Sequence, residues 1–254
     1  MVKKMIVSDL DGTLLRSDKT VSAHSIEVLR SMAEKGIQLV FATARPPRDA
    51  FRLIPDALKN EYVICYNGAI IYRDAEVIFN QEISRHMVIE IIELAEKQGL
   101  NNICMEVNDK LYANFDIVDV FGQIPYELVD LKTFKFKEAF KVMIYADERI
   151  TIEFTSHLPQ GCRGVVTDDG TLCQIMHAEV TKWNSIVRVL DRFEMSHSDV
   201  ITFGDDFNDM EMILHAGVGV AMGNAVDELK ALADHVTVTN DQDGVAVFLR
   251  DLCL

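Results

Sequence analysis

The spacing of hydrophobic and polar residues predicts alternating strands and helices near the start of the chain. Short, unbroken apolar runs are typical of strands buried on both faces, whereas apolar residues three and four apart indicate a helix with one buried face. We predict strands at Lys4–Leu10, Ile37–Ala42 and Tyr62–Tyr66, and helices at Ser22–Lys35 and Pro46–Leu58. This alternation favours a parallel, doubly wound sheet.

The pattern changes after a predicted turn at Asn67-Gly68 and a hairpin formed by Ala69–Tyr72 and Val77–Phe79. Beyond the hairpin, a helix followed by two strands occurs twice, which predicts a separate α+β domain made of two similar units. Its predicted elements are a helix at Ser84–Lys97, strands at Ile103–Val107, Lys110–Ala113 and Phe140–Ala146, a helix at Glu148–Leu158, and strands at Cys162–Thr167 and Leu172–Met176 joined by a turn at Asp168-Asp169-Gly170.

The first pattern returns at Thr181. The predicted elements there are helices at Thr181–Phe193, Asp206–Leu214, Val226–Ala233 and Gly244–Leu252, and strands at Val200–Phe203, Val218–Ala221 and Val236–Thr239. We therefore expect an α/β protein with a doubly wound, parallel-sheet, Rossmann-like core. Residues 1–81 and 181–254 would form the core, and residues 82–180 an inserted α+β domain.

The first candidate for chemistry is Asp9-Leu10-Asp11-Gly12-Thr13, directly after the first predicted strand. Ligands of open α/β sheets bind at the carboxyl ends of the strands. A turn alone explains Asp11 and Gly12 but leaves Asp9, at the end of an apolar strand, unexplained. Two carboxylates this close repel each other, and Mg²⁺ held by oxygen ligands relieves the repulsion. One aspartate can then serve as nucleophile and the other as general acid and base.

A second acidic cluster, Gly204-Asp205-Asp206-Phe207-Asn208-Asp209, follows another apolar strand. Aspartates are also common at helix N-termini, which is the structural alternative for this cluster. Because both clusters follow strands of one predicted sheet, we predict that they meet at a metal site. Two further candidates are individually weak. The Thr43 hydroxyl can bind a phosphate oxygen or cap a helix, and Lys182 resembles many surface lysines until its context is considered.

The charge of the chain limits its partners. The net charge is −15, with 40 acidic and 25 basic residues, which disfavours binding to nucleic acid or an anionic membrane. No window approaches the roughly 20 apolar residues of a membrane span. The chain starts Met1-Val2-Lys3-Lys4 without the pattern of a secretory signal, and its five cysteines are scattered. We expect a reduced, cytoplasmic protein. No pattern indicates its oligomeric state.

Taken together, these motifs resemble the haloacid dehalogenase superfamily, and specifically its Cof-like phosphatases with a large inserted cap. The resemblance extends over essentially the whole chain. It rests on Asp9-Leu10-Asp11-Gly12-Thr13-Leu14-Leu15, Ala42-Thr43-Ala44-Arg45-Pro46, Tyr66-Asn67-Gly68-Ala69, Lys182, Gly204-Asp205-Asp206-Phe207-Asn208-Asp209-Met210-Glu211-Met212, Ala221-Met222-Gly223-Asn224-Ala225 and Asp243-Gly244-Val245-Ala246.

The resemblance implies a magnesium-dependent phosphatase that acts on a small phosphorylated metabolite through an aspartyl phosphate, with the cap supplying specificity. The roles it implies are Asp9 as nucleophile, Asp11 as general acid and base, Thr43 and Lys182 as phosphate ligands, Asp205 as a Mg²⁺ ligand together with the Asp9 carboxylate and the Asp11 carbonyl, and Asn208 and Asp209 as support for phosphate and metal.

Two alternatives remain open on the sequence. A sugar phosphomutase would use the same aspartates, and a catalytically silent metabolite-binding module would keep the fold but have no need for the nucleophile. Two positions also depart from the family pattern, which usually has glycine where this chain has Ala44 and Trp183. Ala44 reduces backbone freedom. We predict that Trp183 packs in the core and does not line a pocket.

Overall fold

The computed structural model describes residues 4–146, 150, 152–167 and 170–252. Two compact units divide the chain, one comprising Met1–Asn80 and Thr181–Leu254 and the other Gln81–Val180. Asp168 and Asp169 of the predicted turn lie outside the described residues, as does Glu148 of a predicted helix.

The strands follow one another along the chain as short segments. They are β1 Met5–Ser8, β2 Gln38–Ala42, β3 Tyr62–Cys65, β4 Ile70–Arg73, β5 Glu76–Asn80, β6 Ile83–Ser84, β7 Asn102–Val107, β8 Lys110–Ala113, β9 Glu127–Leu128, β10 Glu138–Ala139, β11 Lys141–Tyr145, β12 Cys162–Thr167, β13 Leu172–His177, β14 Val200–Gly204, β15 Val218–Ala221 and β16 His235–Val236.

The helices connect these strands. They are α1 Ala23–Glu34, α2 Pro47–Leu53, α3 Arg85–Lys97, α4 Val118–Phe121, α5 Ile152–Ser156, α6 Lys182–Phe193, α7 Met210–His215, α8 Asp227–Leu232 and α9 Gly244–Asp251. Among the described residues, no helix is both long and apolar enough to cross a membrane.

The first unit contains an eight-stranded sheet with the order β16-β15-β14-β1-β2-β3-β4-β5. The six strands from β16 to β3 are parallel, and β4 and β5 add an antiparallel edge. The predicted α/β fold with a doubly wound parallel sheet is thereby confirmed. The central strands consist of unbroken apolar residues because helices cover the sheet. For example, Met5 and Val7 of β1 pack with Ile186 and Leu190 of α6.

The second unit contains a six-stranded sheet with the order β12-β13-β11-β7-β8-β9. Its two hairpins, β7–β8 and β12–β13, lie on either side of β11 and pair with it antiparallel. Side chains from α3 and from one face of the sheet form its core, including Ile91, Ile92, Val142 and Ile175. The alternation of helix and hairpin along the sequence therefore corresponds to a layer of helices on a sheet.

Several element boundaries were predicted wrongly. The helix expected at Pro46–Leu58 ends at Leu53, because Pro55 forces the preceding residue out of helical conformation and a 3-10 turn follows. The helix expected from Asp206 starts as α7 only at Met210, since Asp206 and Asp209 cap a 3-10 turn between them.

Two other predicted elements are shorter than expected. The strand expected at Val236–Thr239 pairs only over β16, because Thr239 leaves the sheet to cap the 3-10 turn Asn240–Gln242. Part of the helix expected at Glu148–Leu158 lies outside the described residues, and the described helix, α5, ends at Ser156 instead of Leu158.

Candidate active site

Four loops meet at the carboxyl edge of the parallel sheet. Asp9 follows β1, Thr43 follows β2, Asn67 lies just after β3, and Asp205 follows β14. These strands are neighbours in the order β14-β1-β2-β3, so their ends lie side by side. The backbone N–H of Asp9 also donates to the carbonyl of Phe203 at 3.0 Å, which continues the ladder up to the site.

Lys182 joins the two acidic clusters. It is the first residue of α6, directly after the N-cap Thr181, and its side chain is 1% exposed. Its Nζ lies 2.6 Å from Asp9 Oδ1 and 2.6 Å from Asp209 Oδ1. A lysine that resembled a surface residue in the sequence is therefore the cation between two buried carboxylates.

Asp209 also organises the loop that carries it. Its Oδ2 accepts hydrogen bonds from the backbone N–H groups of Asp205 at 3.0 Å and Asp206 at 3.2 Å. The loop can close this tightly because Gly204 has no side chain; a Cβ there would lie 2.5 Å from the Asp209 Cβ. Both Asp209 oxygens are thus used in holding other groups of the site.

Asp205 approaches the loop after β1. Thr13 Oγ1 donates to Asp205 Oδ1 at 2.7 Å. Gly12 permits this approach, because its φ is +73° and a Cβ at this position would lie 2.1 Å from Asp205 Oδ2. Carboxylate oxygens of Asp9, Asp205 and Asp209 all lie within 4.8 Å of one another.

The charges of this cluster do not balance. Burial raises the pKa of Asp9 well above its usual range; Lys182 opposes this, and the charges of Asp209 and Asp205 add to it. Burial, with the neighbouring Asp209 charge, raises the pKa of Asp205 to about 7. Burial alone would lower the pKa of Lys182, but the two carboxylates outweigh burial and raise it.

A divalent cation fits this imbalance. When all three are ionised, the carboxylates and the one ammonium have a net charge of −2, and every donor is a hard oxygen atom of the kind that Mg²⁺ prefers. Among the described residues, Asp9, Asp205 and Asp209 form the one group of acidic, histidine or cysteine side chains with this proximity. The predicted pair, residues 9 and 205, is therefore close enough to share an ion.

Asp11 lies apart from this cluster and has its own cations. Arg45 donates to both of its oxygens, with Arg45 Nη2 at 2.7 Å from Oδ1, and Lys19 Nζ lies 2.9 Å from Oδ1. Burial would raise the pKa of Asp11, but the bonds from Arg45 and Lys19 hold it below its ordinary value. Sequence reasoning assigned Arg45 no role of its own, although a cation two residues after Thr43 was a signal that could have indicated one.

The remaining predicted polar residues line the same edge. Thr43 is buried, and its Oγ1 accepts a hydrogen bond from the Arg45 N–H at 3.1 Å, while its own hydroxyl proton has no acceptor among the described residues. Asn208 Nδ2 donates to Asn67 Oδ1 at 3.1 Å. The structure thus brings every predicted site residue to one edge, with Asp11 in a separate ion pair.

Two asparagines near the end of the chain support the loop after β1. Asn224 belongs to a motif that the sequence marked only by resemblance, and Asn240 lies outside the quoted motifs. Asn224 Nδ2 donates to the Gly12 carbonyl at 2.8 Å, and Asn224 Oδ1 accepts from the Asn240 N–H at 2.9 Å. Asn240 Nδ2 in turn donates to the Leu15 carbonyl at 2.9 Å. These contacts fix the backbone that follows Asp11, and no local sequence pattern indicated them.

Both residues that depart from the family pattern have ordinary structural surroundings. The predicted packing of Trp183 in the core is confirmed: it is 7% exposed and lies edge-on to His197, with 4.8 Å between ring centroids. Ala44 is outside the left-handed backbone region, so its position does not require glycine.

Comparison with known proteins agrees with this geometry. The family model for haloacid dehalogenase-like hydrolases matches residues 6–249. The chain belongs to the haloacid dehalogenase-like hydrolase family. Its resemblance to Cof-like members of this family is confirmed, and the chain is a phosphomonoester hydrolase.

Three relatives span nearly its whole length. The 5-amino-6-(5-phospho-D-ribitylamino)uracil phosphatase YitU of Bacillus subtilis (strain 168) is 27% identical, over 97% of this chain and 96% of its own. The phosphatase BT1666 of Bacteroides thetaiotaomicron has a TM-score of 0.87 at 28% identity, covering 99% of this chain and 96% of its own. The subclass IIB sugar phosphatase BT4131 has a TM-score of 0.79 at 25% identity, covering 99% of each chain.

Proposed function

We propose that this hydrolase is a magnesium-dependent phosphatase that releases phosphate from a small phosphorylated metabolite through an aspartyl phosphate on Asp9. The observation that carries the proposal is the state of the Asp9 carboxylate. Its Oδ1 is held by Lys182 Nζ at 2.6 Å, and its Oδ2 has no protein partner among the described residues. A buried carboxylate with one oxygen anchored and one oxygen free is suited to act as a nucleophile.

A magnesium ion would be held by the carboxylates of Asp9 and Asp205 and by the Asp11 backbone carbonyl, with Asp209 in support. Asp209 already binds Lys182 and two backbone N–H groups. The bound ion would supply positive charge that offsets the repulsion between the Asp9 carboxylate and a phosphate dianion. The ion would also relieve the repulsion among the three carboxylates, for which the charge of Lys182 alone is too small.

The protein's own groups meet the phosphate from several sides. Each unit charge on a phosphate dianion repels the Asp9 carboxylate by roughly 4 kcal/mol at 4 Å and an effective dielectric of 20. Lys182 offsets part of this repulsion because its ammonium lies against Asp9. Thr43 donates its otherwise unused hydroxyl proton to a phosphoryl oxygen, and Asn208 contributes its amide. These groups stabilise charge that spreads over the equatorial oxygens during transfer.

Two steps complete the reaction. Asp9 Oδ2 forms a bond to phosphorus while the bond from phosphorus to the leaving oxygen breaks, and protonated Asp11 gives its proton to that alkoxide. Ionised Asp11 then takes a proton from water, which attacks phosphorus and releases Asp9 and inorganic phosphate. The ion pairs with Arg45 and Lys19 favour the ionised form of Asp11 that the second step needs. An arriving phosphate dianion competes for these two cations, which would allow Asp11 to hold a proton for the first step.

The substrate class is proposed from the relatives. One is named for a phosphorylated ribityl compound and another is described as a sugar phosphatase. We infer a phosphomonoester of a sugar or a similar polyhydroxylated metabolite. Residues 1–81 and 181–254 would act as the catalytic core, and residues 82–180 as the cap that selects the substrate.

The test is Asp9→Asn, assayed by release of inorganic phosphate from sugar phosphates and from an aryl phosphate in the presence of Mg²⁺. Asparagine keeps the shape and an acceptor for Lys182 but cannot form the acyl phosphate, so turnover should fall at least about 1,000-fold. Asp18→Asn, an exposed change in the same loop, is the control. Full phosphate release by Asp9→Asn would exclude Asp9 as the nucleophile. If the wild-type protein converts a sugar phosphate into its isomer without releasing phosphate, the protein is a mutase.

A further inference from the structure

The turn after β3 has an unusual backbone. Three consecutive residues have positive φ, with Tyr66 at 52°, Asn67 at 57° and Gly68 at 115°. This region is tolerated by glycine and asparagine, whereas for a bulky residue such as tyrosine it is an outlier. All three residues are buried. Such a conformation persists only when the surrounding structure enforces it, so the contacts of the turn indicate its purpose.

The turn is tied first to the loop that carries Thr43. The Tyr66 N–H donates to the Arg45 carbonyl at 3.0 Å, and the Asn67 N–H donates to the Thr43 carbonyl at 2.9 Å. Because both donors come from the left-handed segment, a relaxed backbone would break these two bonds. The position of the Thr43 hydroxyl therefore depends on the conformation of the turn.

The turn is tied secondly to the start of α6, which carries Lys182. Ser185 Oγ donates to the Gly68 carbonyl at 2.7 Å. Gly68 lies so close to this helix that a Cβ on it would be 2.2 Å from the carbonyl oxygen of Thr181. The residue before Lys182 is thus in contact with the backbone of the turn.

The third tie is made by the Asn67 side chain. Its Oδ1 accepts the hydrogen bond from Asn208 Nδ2 at 3.1 Å, while its own NH₂ group has no acceptor among the described residues. No buried side-chain nitrogen or oxygen of the described residues lacks a partner, so this NH₂ group reaches solvent. The protein therefore uses Asn67 as an acceptor for Asn208. A carboxylate could also accept this bond, but it would add negative charge to an edge already rich in aspartates.

We propose that Asn67 is a positioning residue for phosphoryl transfer. It fixes the amide of Asn208 through its side chain, and its left-handed backbone holds the Thr43 loop against the start of α6. Asn67 acts through Asn208, so removing the Asn67 amide has no consequence once Asn208 has lost its own. This inference rests on the proposed function, in which Asn208 contacts the phosphate.

The experiment is a double-mutant cycle with Asn67→Gly, Asn208→Ala and the double variant, measured as kcat and KM for phosphate release with Mg²⁺. Glycine adopts positive φ freely, so Asn67→Gly removes the amide and keeps the backbone conformation. The matched control is Asp74→Gly, an exposed residue with φ of 52° in the β4–β5 turn, and it should leave the activity unchanged. Urea unfolding of each variant establishes that it is folded.

Asn67→Gly should lower kcat/KM about fivefold to tenfold, the size expected for losing one neutral hydrogen bond, and the double variant should match Asn208→Ala alone. Full activity of Asn67→Gly overturns the proposal. Multiplication of the two single effects in the double variant also overturns it, because Asn67 would then act independently of Asn208. If Asn67→Gly does not fold, Asn67→Ser, whose side chain is too short to reach Asn208, replaces it in the same cycle.

Failure of the proposed function has a different signature. If Asp9→Asn retains full activity, the nucleophile assignment is wrong, whatever the cycle shows. If Asp9→Asn is inactive and the cycle shows no coupling, the positioning role of Asn67 is wrong while the phosphatase mechanism stands.

Discussion

Replacing Asp205 by asparagine should make the metal-free protein more stable while it removes the response to magnesium. The change is nearly isosteric, and asparagine keeps an oxygen that accepts the Thr13 hydroxyl bond at 2.7 Å. What it removes is a negative charge within 4.8 Å of the carboxylates of Asp9 and Asp209. The variant therefore separates the electrostatic cost of assembling the site from the packing around it.

The magnitude follows from the raised pKa of Asp205, about 7 against an ordinary 3.8. Between these two values the folded protein binds the proton and the unfolded chain does not, so the stability of the metal-free protein falls as pH rises. A difference of three units corresponds to at most about 4 kcal/mol, fully expressed above pH 7. Asp205→Asn abolishes this penalty, and we expect it to gain about 2–4 kcal/mol at pH 8 without metal.

The assay is urea unfolding followed by circular dichroism, from about pH 5 to pH 8, with EDTA or with Mg²⁺. The wild-type protein should lose stability with rising pH in EDTA and recover about 3 kcal/mol when Mg²⁺ is present at a hundredfold excess over its dissociation constant. Asp205→Asn should show a smaller loss of stability with rising pH, because burial still raises the pKa of Asp9, and it should not gain stability from Mg²⁺. The adjacent, exposed Asp206→Asn makes the same change of charge. Because the Asp206 charge is the smallest contribution to the raised pKa of Asp205, this variant should keep most of the pH effect and the full response to Mg²⁺. A variant that is less stable than wild type in EDTA at high pH would refute the electrostatic account.

Two further predictions concern ion pairs of the first unit. Lys182→Met leaves Asp9 and Asp209 buried without their cation, so phosphate release should fall at least about 1,000-fold and urea unfolding at neutral pH should show a loss of about 3–5 kcal/mol. Unchanged stability would contradict the buried pairing. Asp243 is held by two bonds from Arg16; burial would raise its pKa, but these bonds hold it below its ordinary value. It therefore stabilises the folded state above that value and loses this contribution as pH falls, so the stability deficit of Asp243→Asn should shrink towards acidic pH.

Much of the fold could be read from local patterns. The apolar runs at β1, β2, β3 and β14 are short and unbroken because each strand is buried on both faces, and this burial restricts every side chain along them. Polar residues that end these runs, such as Asp9 and Asp205, can be recognised in the sequence because they interrupt an apolar pattern. The predicted helix boundaries were wrong where a few residues set the end of a helix. Asp206 caps a 3-10 turn before α7, and Pro55 ends α2.

The sequence by itself determined which residue types stand at the ends of the strands, because burial of a strand and the turn after it are local properties. Tertiary structure alone decided which of these residues meet. Lys182 lies 173 positions from Asp9 and reaches it only because α6 packs on the sheet beside β1. The left-handed conformation of Tyr66 has the same origin. Asn67 and Gly68 adopt positive φ readily, whereas at Tyr66 the contacts with the Thr43 loop enforce it.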